Sequence, residues 1–408
     1  MKNAHPEMVS DILHRRFDAA PMLENLIATR RQLHRHAEIG LNLPLTQALV
    51  LQELTELDLE ITAGRDLSSV TAVLRGGKPG PVVLLRADMD ALPITEPSGL
   101  PFASSTGAMH ACGHDLHVAG LLGAVRLLHE RRDELPGTVI FMFQPGEEGY
   151  AGARTMIEEG VLEAAGERPV AAYAVHVDCM KDSGTFFTRS GPMLASASSL
   201  QVHVSGTGGH PAFPEHAIDP IPIAAEIVLA VQSFVARRVP ATDPAVVSIL
   251  KITSEQLAPN ALPIGVTIGA SVRTLSRDTF ALMREKLVPL VSAIGEAHGA
   301  PTTTDYQDSY PVTINDPHEA SFALDVLERL HGRDGVQVLS APLMATEDFA
   351  YVLEQVPGAL VVLGARPTDV LVEGAPGMHS AGAIFDDSVL GKQAETLAEL
   401  AWRRLQST

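Results

Sequence analysis

The sequence predicts an α/β fold carrying an inserted α+β domain, and three observations lead there. Apolar runs alternate with helix-period segments through the first half of the chain, the pattern of helices layered on a buried sheet. The middle switches to strands in which apolar and polar residues alternate, as in a sheet with one face open to water. The length of 408 residues, 46% apolar and 19% charged, provides enough material for two cores of ordinary domain size.

Residues from about Val9 to Arg35 read as the first helix. Its last turn holds Arg30, Arg31, His34 and Arg35, where cations meet the partial negative charge of unpaired carbonyls. Three apolar runs bounded by Gly and Pro then read as buried strands: Val82 to Leu85, Val139 to Phe143, and Ala171 to Val177. Between the first two, a helix from about Asp115 to Arg132 buries Leu116, Leu121, Leu122, Val125 and Leu128. After Ser190-Gly191-Pro192 come a strand at Leu200 to Val204, a helix at Pro220 to Arg238, strands at Val246 to Ile252 and Val266 to Val272, and a helix at Asp278 to His298. The insertion is therefore expected over residues 191–301, and the larger domain over 1–190 and 302–408. Helices after Asn315, Thr346 and Asp386 and a strand at Leu360 to Leu363 complete the larger domain, with no internal repeat or low-complexity tract.

Composition excludes some functions. Thirty Lys and Arg stand against 49 Asp and Glu, a formal charge of -19, and aromatic residues make up only 4%. Neutralising phosphates needs excess positive charge and single-strand platforms need rings, so nucleic acid is not an expected partner. Two cysteines, Cys112 and Cys179, cannot build a disulfide framework. The opening Met1-Lys2-Asn3-Ala4-His5-Pro6 leads into no apolar signal core, and no uninterrupted apolar stretch approaches the roughly 18 residues of a membrane span. A cytoplasmic protein without a membrane partner is the expectation.

Chemistry collects where the strands end. Leu84-Leu85 runs into Arg86-Ala87-Asp88-Met89-Asp90, Phe141-Met142-Phe143 into Gln144-Pro145-Gly146-Glu147-Glu148, and Ala174-Val175 into His176. Open α/β sheets place their ligand crevices at the carboxyl ends of strands. A further cluster, Met109-His110-Ala111-Cys112-Gly113-His114-Asp115-Leu116-His117, precedes a helix. With Gly113 between them, Cys112 and His114 can aim at one ion; Glu148, His176 and the late His379 can complete a shell. Thiolate, imidazole and carboxylate together suit Zn2+, Mn2+ or Co2+. Each residue taken alone has a plainer reading. His110 or His117 is more often a surface or capping residue, Asp115 an N-cap, Cys112 a small buried hydrophobe, and Glu147 and Glu148 solvated carboxylates. Convergence on one predicted edge favours the metal. Two adjacent glutamates then divide the labour, one binding metal and the other taking a proton from metal-bound water, whose pKa falls toward about 7. Hydrolysis is the reaction this arrangement favours.

These segments resemble the aminoacylase and carboxypeptidase family of two-metal peptidases, peptidase family M20. The resemblance rests on Arg86 to Ile94, Met109 to His117 and Phe143 to Glu148, and extends from about His34 to Asp387. More narrowly it points to the amidohydrolase branch of aminoacylases, hippurate hydrolases and indole-acetyl-amino-acid hydrolases. It implies a zinc-peptidase-like catalytic domain, a central mixed sheet flanked by helices, with a ferredoxin-like lid that also carries a dimer interface. It further implies two divalent ions held by Cys112, His114, Glu148, His176 and His379, with Cys112 in place of a bridging carboxylate. Glu147 matches the general base, Asp88 a residue that orients a ligand, and His210 in Gly208-Gly209-His210 an oxyanion-stabilising lid histidine, often from the partner subunit. Asn260 and Arg273 match substrate-holding lid positions, and a guanidinium suits a carboxylate.

The chain departs from the family pattern at Ala37, Leu43, Ser198, Gln256, Ala381 and Ala383, leaving the ligands and Glu147 intact. The expectation is a metal-dependent amidohydrolase acting on N-acyl amino acids or related small amides. The alternatives are a dipeptidase or biosynthetic N-deacetylase of the same family, or a binding protein that holds such a ligand without cutting it.

Overall fold

The computed structural model describes residues 17–371 and 373–407. They form two compact units: one holds the described residues up to Gly191, Ile314–Ser340 and those from Tyr351 onward, the other Pro192–Thr313 and Ala341–Ala350.

The first unit opens with α1 (Leu23–Arg35) and α2 (Pro44–Leu54). The expected helix from Val9 falls partly on residues 1–16, outside the described ones; helical backbone starts at a 3-10 turn, Ala20–Met22, in which Pro21 sits at the N-terminus. Three strands follow, β1 (Glu60–Ala63), β2 (Val70–Arg75) and β3 (Lys78–Asp88), then α3 (His114–Glu130) and β4 (Pro136–Gln144). A short α4 (Gly152–Glu158), β5 (Ala171–Asp182) and β6 (Phe186–Thr188) complete this stretch. The second unit then supplies β7 (Ala197–Ser205), α5 (Pro220–Arg238), β8 (Ala245–Glu255), β9 (Gly265–Thr274), α6 (Arg277–Ala297) and β10 (Thr302–Tyr310). The chain returns to the first unit for α7 (Pro317–His331), β11 (Val336–Val338), β12 (Gly358–Arg366) and α8 (Leu390–Gln406).

Eight strands of the first unit make one mixed sheet in the order β1-β2-β4-β3-β5-β12-β6-β11. Its centre, β4, β3, β5 and β12, is parallel throughout. Parallel strands are covered on both faces, which is why β3, β4, β5 and β12 are buried along their apolar runs. Helix α3 is buried on nearly every side, and each fully buried Leu in it contributes about 1.5–3 kcal/mol relative to exposure. The second unit is an antiparallel sheet in the order β10-β7-β9-β8, with α5 and α6 as crossovers. This βαββαβ arrangement is ferredoxin-like. Its separate core joins Leu200, Val202 and Val204 to Ile223, Ile227, Met283 and Leu287.

Candidate metal centre

Because β3, β4 and β5 are parallel neighbours, their carboxyl ends share one edge of the sheet. Asp88 closes β3 opposite Gln144, the last residue of β4; His176 lies not at the end of β5, as the apolar run suggested, but midway along it, two residues past its last pairing with β3. Glu147 and Glu148 follow in the turn after β4, drawn tight by the Gly152 N–H donating to the Gly146 carbonyl at 3.0 Å. A Cβ at Gly152 would lie 1.7 Å from the Pro145 carbonyl oxygen, so only glycine fits there. The N-terminus of α3 brings Cys112, His114 and His117 to the same edge. Its cap is Gly113, at φ 84, a left-handed conformation that lets the chain turn between Cys112 and His114. The late segment is tied in by the His379 N–H donating 3.0 Å to the Ala111 carbonyl, and His379 itself takes the left-handed φ 62, uncommon for a residue with a side chain.

All five expected ligands converge. Cys112 Sγ lies 3.3 Å from His379 Nε2 and 3.6 Å from His176 Nε2, and Glu148 Oε1 lies 3.1 Å from His379 Nε2. Ligand atoms of Cys112, His114 and Glu148 fall within 4.8 Å of one another, as do those of Asp88, His114, His117 and His176, so two donor groups share His114.

The hydrogen bonds show how the rings are set. His114 Nδ1 bonds to the Asp90 carbonyl at 2.8 Å; its Nε2 is buried 3.5 Å from Asp88 Oδ2 with no hydrogen-bond partner among the described residues. His176 Nδ1 bonds to the Val177 carbonyl at 2.7 Å, turning Nε2 toward Cys112. A buried imidazole nitrogen without a partner is costly unless a cation takes its lone pair, and a carbonyl on the opposite nitrogen is the usual way of orienting a histidine ligand. The donor set and this orphaned Nε2 fit divalent metal.

Electrostatics agree. Burial opposes ionisation of the Cys112 thiol, yet the charges of His176 and His114 bring it down to about 6, into the range where thiolate ligands form. Hydrogen bonds to Cys112 and Glu148 lift His379 to about 10. Burial likewise works against the Glu148 carboxylate, and the bond from His379 lowers it nonetheless. Asp88, fully enclosed, is held well below the usual carboxylate range by Arg86, His114 and His117, which outweigh its desolvation.

Some residues acquire partners that the sequence did not announce. Asp90 is buried, and its two carboxylate oxygens accept the backbone N–H groups of Glu147 (2.9 Å) and Glu148 (3.0 Å). Arg86 bonds Asp88 through Nη1 at 2.8 Å and Gln144 through Nε at 2.8 Å. Asp115 is not the helix cap its position invited: it lies in the first turn of α3, in a buried ion pair with Arg30 at 2.7 Å and a bond to His34 at 2.8 Å. His110 and His117 are buried, not on the surface.

The second unit holds the other candidates. His210 is exposed, its Nδ1 accepting from the Ala212 N–H at 3.1 Å. Asn260, also exposed, sits in the turn closed by Ala261 N–H to the Ala258 carbonyl, and the Leu262 N–H donates to the Gly209 carbonyl at 2.8 Å, so the two loops adjoin. Arg273 lies near the far end of β9, eight residues from Gly265, about 27 Å along an extended strand. Its buried Nη1 has no partner among the described residues, and burial lowers the guanidinium pKa. Within this unit, His210 and Asn260 come together and Arg273 stands apart. Ser198, at a departure from the family pattern, donates to Asp308 on the neighbouring strand at 3.1 Å.

The chain is 35% identical over 378 residues to an N-acetylcysteine deacetylase of Bacillus subtilis (strain 168), covering 92% of this chain and 96% of the relative. It is 34% identical over 378 residues to the hippurate hydrolase of Campylobacter jejuni, with the same coverage, 92% and 96%. Among solved structures it superposes on the Bacillus subtilis YXEP protein, described as a dinuclear metal binding peptidase from the M20 family, with a TM-score of 0.80 and 32% identity, covering 95% of this chain and 99% of that one. The model of Peptidase family M20/M25/M40 matches residues 84–403, a span that takes in all three strand ends, the cap of α3 and His379. With its fold, its gathered side chains and its sequence agreeing, the chain belongs to the M20/M25/M40 peptidase family.

Proposed function

We propose that this protein is a metal-dependent amidohydrolase that cleaves the amide bond of N-acyl amino acids or related small amides. The observation that carries the reading is the gathering of Cys112, His114, Glu148, His176 and His379 at one sheet edge, with Glu147 beside them on the same Asp90 clamp. Those five side chains would hold two divalent ions, Zn2+, Mn2+ or Co2+, which when bound polarise the scissile carbonyl and acidify a water molecule. Glu147, one residue from a ligand and not itself one, takes the proton from the attacking water and passes it to the departing amine. Asp88 braces the histidines of the α3 N-terminus. His210 stabilises the oxyanion and Asn260 holds the substrate, while Arg273, with an unused buried N–H, takes the substrate carboxylate.

The separation of Arg273 from the His210–Asn260 loops suits a homodimer in which the lid of each subunit serves both sites. The lid also offers a surface for pairing: β8 is a sheet edge, with Leu250 72% and Ile252 58% exposed. Helix α5 is long and apolar enough to cross a membrane by composition, but Ile223, Ala224, Ile227 and Val231 bury one face of it against the lid sheet. Free thiols at Cys112 and Cys179 accord with a reducing, cytoplasmic setting.

Replacing Glu147 with Gln should leave metal content at the wild-type value while lowering kcat by about 10²–10⁴-fold, the usual worth of a positioned base. Retention of wild-type kcat would remove Glu147 from its role. Chelation should abolish turnover and added Zn2+, Mn2+ or Co2+ restore it. N-acetyl, N-benzoyl, indole-acetyl and dipeptide substrates assayed side by side would separate the aminoacylase reading from the dipeptidase and deacetylase ones; hydrolysis of none of them would favour the binding protein.

A further inference from the structure

His117 is buried within the centre, yet neither of its ring nitrogens is available to an ion. Nδ1 is paired with an Asp88 carboxylate oxygen, and Nε2 accepts the Val177 N–H at 2.8 Å. A backbone N–H can only donate, so Nε2 carries no proton and the ring's single proton sits on Nδ1, directed at Asp88. The donor is an unusual peptide group. The pairing of β5 with β3 ends at Ala174 opposite Arg86, so Val177 lies three residues beyond the last rung and its N–H donates to a side chain instead. The carbonyl of the same residue accepts from His176 Nδ1 at 2.7 Å, and its side chain packs over Gly113, where an added Cβ would meet Val177 Cγ2 at 2.4 Å. The His117 and His176 rings also touch, with centroids 4.6 Å apart at 65°.

Val177 is thus a hub between the turn that carries Cys112 and His114 and the strand that carries His176. We propose that His117 is a positioning residue: by holding the Val177 N–H it fixes that residue, whose carbonyl, on the next peptide, sets the tautomer and direction of His176, and so the placement of His176 Nε2 against Cys112. This rests on the reading of His176 as a metal ligand. Asp88 is the anchor of the chain Asp88–His117–Val177–His176, and Arg86 in turn fixes Asp88.

The test is Co2+ binding to the full-length apoprotein, by competition with a chromophoric chelator and by the visible spectrum of the loaded protein. His117→Ala should bind Co2+ about 10–100-fold more weakly, the usual cost of losing a partner behind a ligand, with an altered spectrum. His117→Gln, whose amide can donate to Asp88 and accept from Val177, should recover most of the loss. His176→Ala is the reference for the ligand itself. Weakened binding in His176→Ala with wild-type binding in His117→Ala overturns the positioning role alone; wild-type binding in His176→Ala overturns the ligand reading and the proposal with it. Equal losses in the Ala and Gln variants would mean that ring bulk, not hydrogen bonding, does the holding, and also overturn it. Should His117→Ala fail to fold, imidazole 15N spectra of the wild-type apoprotein decide: protons on Nδ1 of both His117 and His176 support the chain, and a proton on Nε2 of His117 overturns it.

Discussion

Gly113 shows how much can depend on one missing methyl group. Its left-handed backbone separates Cys112 from His114, and a Cβ there would collide with Val177 and, at 2.9 Å, with the Phe385 ring. Gly113→Ala should therefore destabilise the protein by at least about 1–2 kcal/mol from backbone strain alone, with a further loss from the displaced neighbours. It should also weaken metal binding; thermal melting of the apoprotein and a metal titration check the two effects separately, and an unchanged melting temperature would contradict the packing described. At this scale the sequence is read unevenly. Cys112, His114, Glu148, His176 and His379 stand out because metal-ligating side-chain types are rare enough to notice, and the fold brings them close together. Asp90 and His117 do not, because their partners are the backbone N–H groups of Glu147, Glu148 and Val177. Which peptide groups lack a ladder partner depends on where neighbouring strands stop, and no residue type records that.

Helices with a strong period and apolar runs bounded by Gly and Pro were legible, and very short elements or a helix apolar on most sides were not. Helices α3, α5 and α6 and strands β3, β4, β5 and β12 lie where the pattern puts them. Helix α2 has apolar residues on most sides and so no face to detect, and β6 and β11, three residues each, are shorter than the roughly 4–8 residues over which strand alternation can be read. Caps bring a testable dependence on acidity. Asp386 precedes α8, where its carboxylate accepts from the Ser388 N–H at 2.9 Å and the Ser183 hydroxyl at 2.5 Å. Partial burial raises its pKa, but these bonds outweigh that and hold it below the ordinary range for an aspartate. A carboxyl depressed in the folded state stabilises fully above its unfolded pKa, and the contribution disappears as pH falls through the folded value. Asp386→Ala, which removes both acceptors, should therefore cost about 0.5–2 kcal/mol near pH 7, and the gap from wild type should narrow below about pH 4. Melting curves at the two pH values test this; a constant gap would mean the carboxylate's charge is irrelevant.

On the scale of the whole molecule, assembly and connectivity carry the consequences. Leu250 interrupts the register of β8 against β9, between Lys251 opposite Gly269 and Ile249 opposite Ala270, and so projects from a bulged edge. If that edge is the subunit contact, Leu250→Glu should convert a dimer to monomers in sedimentation velocity, and an undisturbed dimer would move the interface elsewhere. The two-part organisation was visible in the switch from buried to alternating strands, whereas the order of strands in the large sheet was not, since periodicity says which residues face a core and nothing about which strand lies beside which. That order has a temporal consequence. Strands β5 and β6 are separated by only three residues of chain, yet β12 lies between them and begins at Gly358. On a ribosome adding about 5–20 residues per second, a gap in the middle of the nascent sheet stays open for roughly 10–35 s while the intervening chain is made. Until then the side of β5 that β12 will cover has no strand to pair with, and an unpaired strand edge is a place where a nascent chain can associate wrongly.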